Sequence, residues 1–287
     1  MKTAVLGLGL LGAEIALRLQ REGFEVTGWN RSPDKAAVLA KAGLSTAPTP
    51  AEALAESEAV VLVLSDATAI RESLFQSDPT PNLTGRVCIQ MGTIAPQESR
   101  NLAEDIATAG GAYLEAPVLG SLPEAREGRL ILMAGGEPAL FDRCLPLLRA
   151  LGQDPQRIGA VGQAAALKLA MNQLIAGLTA TFALSLGLVR AEGIEVEQFM
   201  TLLRASALYA PTFDKKLTKY LNQDYAGANF PLKHLLKDVR LFRRVAQDAG
   251  MDTAMVTAIE AACIRALDQG YGDQDYSALY EAMSPRK

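Results

Sequence analysis

Cysteine is scarce in this chain. Cys88, Cys144 and Cys263 are the only three among 287 residues, far apart and each beside aliphatic side chains. With no C-x-x-C pair, neither a zinc site nor a disulfide framework is supported, and buried, reduced thiols in a cytosolic protein are expected. No metal is expected. His234 is the sole histidine, and no role falls to it. An excess of positive charge is missing too. The formal charge is −4 at pH 7, and no face carries the surplus of Lys and Arg that a nucleic-acid partner needs. The apolar "KTAVLGLG" comes at once, without a charged n-region and cleavage site, so no signal peptide is expected. One stretch, residues 169–189, is long and apolar enough to raise the question of a membrane. It contains Asn172, Gln173, Thr179, Thr181 and Ser185 and follows Lys168. A helix buried within protein is therefore expected, and no membrane partner.

What is present reads as a globular chain. Hydrophobic residues make up 49% and charged residues 21%, enough to bury a large core, and the length suggests two domains. Short apolar runs at 3–6, 25–29, 59–64, 86–91, 112–116 and 130–134 read as strands. Helical patterns near 11–22, 34–42, 68–75, 96–109 and 137–150 alternate with them. Such alternation predicts an α/β fold, a mainly parallel sheet with helices on both faces. Past "RIGAVG" (157–162) the strands stop. A helix from Gly162 to near Glu192, about 45 Å long at the standard rise, opens an all-helical region. Another runs over 231–249, where Leu232, Leu235, Leu236, Val239, Phe242 and Val245 keep helical spacing. The domain boundary is placed between 160 and 161.

"AVLGLGLLGAEIALRLQ" sets Gly7, Gly9 and Gly12 in a G-x-G-x-x-G after a strand and at the mouth of a helix. In that context Gly7 permits a tight turn, Gly9 lets backbone approach a pyrophosphate, and Gly12 lets helix pack on strand. Backbone N–H groups of Leu8, Leu10, Leu11 and their neighbours at the helix start would hold the phosphates. The second strand ends in Asn30, Arg31 and Ser32, where an NAD site usually places a carboxylate for the ribose. A guanidinium and a hydroxyl suit a 2′-phosphate, so NADPH is expected over NADH; a solvated surface arginine is the plainer alternative. Leu64, Ser65 and Asp66 close one later strand, and "MGT" with Thr93 closes the next. Ligands of open α/β sheets sit beyond such strand ends, though each segment read alone is equally a turn.

Lys168 lies in "AAALKLAMNQLIAG" among aliphatic neighbours, with Asn172 one turn on and on the same helix face. Lost solvation lowers a lysine's pKa toward a value useful for proton transfer. A lysine snorkelling to solvent near a helix start reads the same way in sequence. The stretch "EAPVLGS" (115–121) puts bulky Leu119 in what reads as a tight loop, before Gly120 and Ser121.

Together the glycine loop, "EAPVLGS" followed by "GRLILMAGG", and the Lys168-x-x-x-Asn172 pair resemble the β-hydroxyacid dehydrogenase family. The likeness covers essentially the whole chain. "NRS", "FPLKHLLKDVRL" (230–241) and "GYGDQDYSALYEA" (270–282) look most like its glyoxylate and succinic semialdehyde reductase branch. The resemblance implies an N-terminal NADP-binding Rossmann domain (1–160) and an all-helical substrate and oligomerisation domain (161–287), joined by the long helix. It implies that Lys168 gives a proton to the carbonyl oxygen as hydride arrives, and that Asn172 holds the substrate or the lysine. Thr93 would touch the nicotinamide side and Lys237 would reach the cofactor, unless Lys237 is only one charge of the solvated stripe Lys233, Lys237, Arg240 and Arg244. Phe230 and Asp238 would border the substrate. Family members carry serine where Leu119 stands, in a loop that binds the substrate carboxylate. Here Gly120, Ser121 and the loop N–H groups would have to serve.

The expectation is a cytoplasmic NADPH-dependent reductase of small aldehydes or keto acids, a homodimer or homotetramer. An NAD(P)-linked 3-hydroxyacid dehydrogenase or an imine reductase on the same frame is the alternative. A non-enzymatic NADPH-binding module is a second.

Overall fold

The computed structural model describes residues 1–284. The chain divides into two compact units, Met1–Leu169 and the part from Ala170 onward. The strands of the first are β1 (Lys2–Leu6), β2 (Glu25–Trp29), β3 (Ser45–Thr46), β4 (Ala59–Leu62), β5 (Val87–Gln90), β6 (Ala112–Glu115), β7 (Val118–Leu119), β8 (Ile131–Gly135) and β9 (Gln156–Gly159). Its helices are α1 (Leu10–Arg21), α2 (Pro33–Lys41), α3 (Pro50–Leu54), α4 (Ala67–Phe75), α5 (Pro96–Thr108), α6 (Leu122–Glu127) and α7 (Pro138–Leu151).

The sheet runs β3-β2-β1-β4-β5-β6-β8-β7, with β9 beside β8. Strands β1 to β6 pair in parallel because each returns through a helix or loop to the same edge. Leu6 lies beside both Trp29 and Leu62, Leu62 beside Gln90, and Gln90 beside Glu115. That register sets the carboxyl ends of β2, β1, β4, β5 and β6 level. The pleat then sorts side chains onto two faces. Val5, Val61 and Ile89 pack with Ile15, Leu19 and Leu147 in one core. Ala4, Leu6, Val60, Leu62 and Cys88 pack with Ile70, Leu102 and Ile106 in the other. A sheet buried on both faces reads in sequence as continuous apolar runs, which is why these strands are visible there.

The loop expected after Glu115 is instead a short strand. Val118 and Leu119 pair antiparallel with Leu132 and Ile131. Pro117 has no N–H to give, but its carbonyl accepts from Met133 N at 3.1 Å, so the chain reverses without leaving the ladder. Strand β9 escapes sequence reading because Gln156, Arg157 and Ile158 are exposed and show no alternation.

Helix α8 (Gln163–Ala191) carries the chain into the second unit, followed by α9 (Val196–Arg204), α10 (Pro211–Asn222), α11 (Leu232–Asp248) and α12 (Ala254–Ala266). A π-helical turn (Leu267–Tyr271) and a 3₁₀ turn (Tyr276–Ala282) follow. Leu232, Leu235, Leu236 and Val239 of α11 pack on Ile259, Cys263 and Leu279. Phe182, Met200, Phe213 and Tyr220 form a further core. Among the described residues α8 is the one helix long and apolar enough to cross a membrane, with 44% of its most apolar window buried. Burial within the single chain is therefore one-sided. Leu174, Leu184 and Leu188 are 57%, 54% and 65% exposed, while Ala176, Ala180 and Ala183 face the core.

Candidate active site

The glycine loop leaves β1 at the level strand ends. Gly7 takes φ +100°, and a Cβ there would stand 2.3 Å from the Val63 carbonyl oxygen. At Gly12 a Cβ would stand 1.8 Å from the oxygen of Gly7. These two positions exclude any side chain, so the turn closes on β4 and α1 closes on the turn. Gly9 differs, since a Cβ built there meets nothing within 4 Å. It is the N-cap of α1 and brings no side-chain cap, so the first-turn N–H groups face outward toward an anion. A dinucleotide pyrophosphate fits this cradle. Leu8 turns its side chain into the core at 2% exposure, whereas Leu10 is 53% exposed and Leu11 is half-buried against the core. Leu10 and Leu11 can serve the cofactor through their backbone N–H groups, whereas the Leu8 N–H, expected to do the same, is taken by Asn30 Oδ1 at 2.9 Å.

Asn30 ties the end of β2 to this loop. Its Oδ1 accepts from Leu8 N at 2.9 Å, and its Nδ2 donates to the Ser32 carbonyl at 3.1 Å. Arg31 extends into solvent, its side chain 80% exposed and 3.7 Å from the Glu72 carboxylate. An exposed pair of that kind is worth at most about 1 kcal/mol, so the guanidinium can move to a stronger anion. Ser32 is the N-cap of α2, yet its hydroxyl makes no cap bond. Next along the edge, Leu64 packs half-buried on the second sheet face. Ser65 Oγ donates to Asp66 Oδ2 at 2.9 Å, and Asp66 Oδ1 accepts from Ala69 N at 2.8 Å. The Asp66 carboxylate is thus committed to capping α4. Thr93, half-buried, follows β5. Residues 7–12, 30–32, 64–66 and 93 come together along one edge, around the β1–β4 neighbours where the strand order reverses.

The loop after β6 joins the same edge. Gly120 takes φ +124°, and Leu119 is half-buried in β7. Ser121 N donates to Glu124 Oε2 at 2.8 Å, so this N–H is spent on starting α6 and is withdrawn from anion binding. Ser121 Oγ is buried and has no hydrogen-bond partner among the described residues. It is the donor this loop holds for a ligand, with the Glu124 carboxylate close by to oppose an anion. Glu115, absent from the sequence-derived site, is fully buried. Its Oε1 accepts from the N–H groups of Gly162, Ala164 and Ala165 at 2.8, 2.8 and 3.2 Å, and Ser99 Oγ donates to its Oε2. Tyr113, bonded to Ser99 at 2.8 Å, is pushed above the ordinary phenol pKa, chiefly by burial. A buried carboxylate at the positive end of a helix fixes where that helix begins. Lys168 stands half-buried one turn further along α8. The serine-x-x-glutamate spacing of 121–124 is legible as a capping box; nothing in sequence pairs Glu115 with residues 162–165.

In the helical unit Asn172 and Asp238 are 4% and 3% exposed. Asn172 Nδ2 donates to Asp238 Oδ2 at 2.6 Å, and Lys237 Nζ is 3.0 Å from Asp238 Oδ1. Asp238, expected beside the substrate, gives Oδ2 to Asn172, while its buried Oδ1 meets the Lys237 ammonium as an ion pair and accepts no hydrogen bond among the described residues. Phe230 packs half-buried against Tyr276, ring centroids 5.8 Å apart. Lys237 also lines a surface groove of about 420 Å³ with Lys233, Arg240, Arg244, Leu236, Leu241 and Leu267. Arg240 bonds Glu260 at 2.9 Å and Lys233 bonds Asp273. The stripe is thus partly paired, and it is cationic enough to meet a phosphate. Another cavity, about 400 Å³, is lined by Arg71, Phe75, Asp105 and Thr108. Phe75 and Thr108 end α4 and α5, which places that cavity at the opposite edge of the sheet. No metal-binding cluster of His, Cys, Asp and Glu occurs among the described residues.

Residues 2–162 match the family profile described as the NAD binding domain of 6-phosphogluconate dehydrogenase. Residues 162–283 match that described as NAD-binding of NADP-dependent 3-hydroxyisobutyrate dehydrogenase. The chain is 32% identical to glyoxylate/succinic semialdehyde reductase 1 of Arabidopsis thaliana, over 99% of this chain and 98% of that one. Its fold matches 3-hydroxyisobutyrate dehydrogenase of Salmonella typhimurium with a TM-score of 0.86 at 23% identity, over 98% and 99% of the two chains. An imine reductase of Myxococcus stipitatus in complex with NADP⁺ matches with a TM-score of 0.68 at 22% identity, over 99% and 100%. With a dinucleotide cradle at the strand ends, a helical second unit and whole-chain likeness to a reductase, the chain belongs to the β-hydroxyacid dehydrogenase family, as an NAD(P)-dependent dehydrogenase or reductase.

Proposed function

We propose that this protein is an NADPH-dependent reductase of small aldehydes or keto acids, with glyoxylate and succinic semialdehyde as its leading substrates. The observation that carries this reading is the whole-chain identity to a glyoxylate/succinic semialdehyde reductase. A lysine and an asparagine one turn apart on α8 supply what such a reaction needs. A reduced nicotinamide, when bound, would be the source of the hydride for the carbonyl carbon. Lys168 gives a proton to the carbonyl oxygen, so no free alkoxide builds up. The glycine-loop N–H groups hold the pyrophosphate, and Thr93 lies on the nicotinamide side. Arg31 and the uncapped Ser32 hydroxyl favour the 2′-phosphate of NADPH, because the carboxylate that would repel it is missing from the end of β2. In the helical unit, Lys237 and its cationic neighbours offer positive charge that suits a phosphate.

Two further expectations belong to this reading. The protein works as a dimer or tetramer of its own chain. Leu174, Gly177, Thr181, Leu184 and Leu188 recur at intervals of three and four on the outer side of α8, the spacing of a helix–helix seam. Leu174, Thr181, Leu184 and Leu188 are exposed, and a Cβ at Gly177 would meet nothing within 4 Å. A second copy of α8 is the occupant this face fits. The location is cytoplasmic, in keeping with three buried free thiols. Burial pushes Cys88 and Cys263 up to about 12 and Cys144 up to about 11.

The test is a steady-state assay of NADPH oxidation with glyoxylate, succinic semialdehyde, neutral aldehydes of matched size and cyclic imines. Turnover of the two acids is expected. Turnover of imines alone, or of none of these compounds, overturns the reading.

A further inference from the structure

Asn172 and Asp238 are both almost fully buried, and they face each other through one short hydrogen bond, 2.6 Å from Asn172 Nδ2 to Asp238 Oδ2. A carboxylate only accepts, whereas an amide has one accepting and one donating end. The end of Asn172 that meets Asp238 is therefore its nitrogen. Its oxygen is turned away, is buried, and has no hydrogen-bond partner among the described residues. Lys237, 3.0 Å from the other Asp238 oxygen, compensates the buried negative charge.

We infer that Asp238 is a positioning residue that locks the Asn172 amide with its oxygen presented on the Lys168 side of α8. Asn172 thereby offers its amide oxygen as an acceptor for the lysine ammonium. The inference rests on the reading of Lys168 as proton donor. Residues four apart on a helix are neighbours, about 5–6 Å between their Cβ atoms. An ammonium has three donors and no acceptor, so it suits an orphan carbonyl oxygen there. A substrate carbonyl or carboxylate oxygen does not, since acceptor would meet acceptor. The pair then does two things for Lys168: it aims one N–H away from the substrate, leaving the others to face it, and it favours the protonated state that must give the proton.

Two measurements test this. In the cofactor-free protein, ¹⁵N-resolved NMR reads the Asn172 side-chain amide directly. A protected, slowly exchanging Nδ2 hydrogen that loses its protection in Asp238→Asn is expected. Exchange in the wild type as fast as that of a surface asparagine overturns the inference. This reading needs no turnover, so failure of the amide polarity and failure of the reductase reading are told apart. In the enzyme, Asn172→Ala and Asp238→Asn should each lower kcat by about ten- to a hundredfold with KM for NADPH unchanged. Each should also move the alkaline limb of the kcat/KM pH profile to lower pH, because the ammonium loses its acceptor. The double variant should be no slower than Asn172→Ala alone. Losses that multiply in the double variant mean that Asp238 acts on the substrate itself, and the inference fails.

Discussion

At the scale of single residues, Arg31 and Leu119 carry the specificity of the account. Arg31 is held by nothing stronger than a 3.7 Å contact to Glu72, so its worth lies in what it binds. Arg31→Ala should lose a charge-assisted contact of about 1.5–3 kcal/mol, about a ten- to hundredfold effect. The loss should appear in KM for NADPH and hardly at all for NADH; equal losses with both cofactors would remove the 2′-phosphate from the argument. Leu119 stands where the family resemblance implies a serine, and Glu124 has taken the Ser121 N–H. Ser121 Oγ is then a donor that the loop still offers. Leu119→Ser should lower KM for glyoxylate or succinic semialdehyde more than for a neutral aldehyde of similar size, and Ser121→Ala should raise it selectively for the acids. Equal shifts for charged and neutral substrates would show that the loop reads no carboxylate.

At the scale of elements, the long helix starts where Glu115 says it starts. Three backbone N–H groups of its first turn converge on one buried carboxylate oxygen. Glu115→Gln keeps the shape and removes the charge, and it should cost about 1.5–3 kcal/mol in urea unfolding, the range for a hydrogen bond to a charged group. Turnover should fall as well, since Lys168 stands one turn along the helix so anchored. Unchanged stability would show that the helix needs no charge at its start. Sequence reading found β1, β2, β4, β5, β6 and β8 together with α1, α2, α4, α5 and α7, because burial on both faces writes long apolar runs. It found the glycine loop and the Lys168–Asn172 spacing, because both are local. It missed β3, α3 and α6, which are too short to show a period, and β7 and β9, where pairing with β8 rather than side-chain pattern makes the strand. It missed Glu115 with α8, and Asn172 with Asp238, for a related reason. These partners lie 47 to 50 and 66 residues apart, and only the folded chain brings them within hydrogen-bond reach.

At the scale of the whole molecule, the proposed assembly and the proposed chemistry share α8. One side of this helix is packed, and the other shows Leu174, Leu184 and Leu188 to solvent. Leu184→Glu should leave the fold intact and shift the protein toward monomer in analytical ultracentrifugation, because a charge in a dry helix seam is left unpaired. A variant sedimenting like the wild type would place the subunit contact elsewhere. The same helix carries Lys168, on which the account chiefly rests. The most direct measurement is kcat for NADPH-dependent reduction of glyoxylate and succinic semialdehyde by wild type and Lys168→Ala, with NADPH affinity measured in parallel. The account predicts a fall of roughly 10²–10⁴-fold, the range for a removed general acid, with NADPH bound as before; near-normal turnover in Lys168→Ala would contradict it.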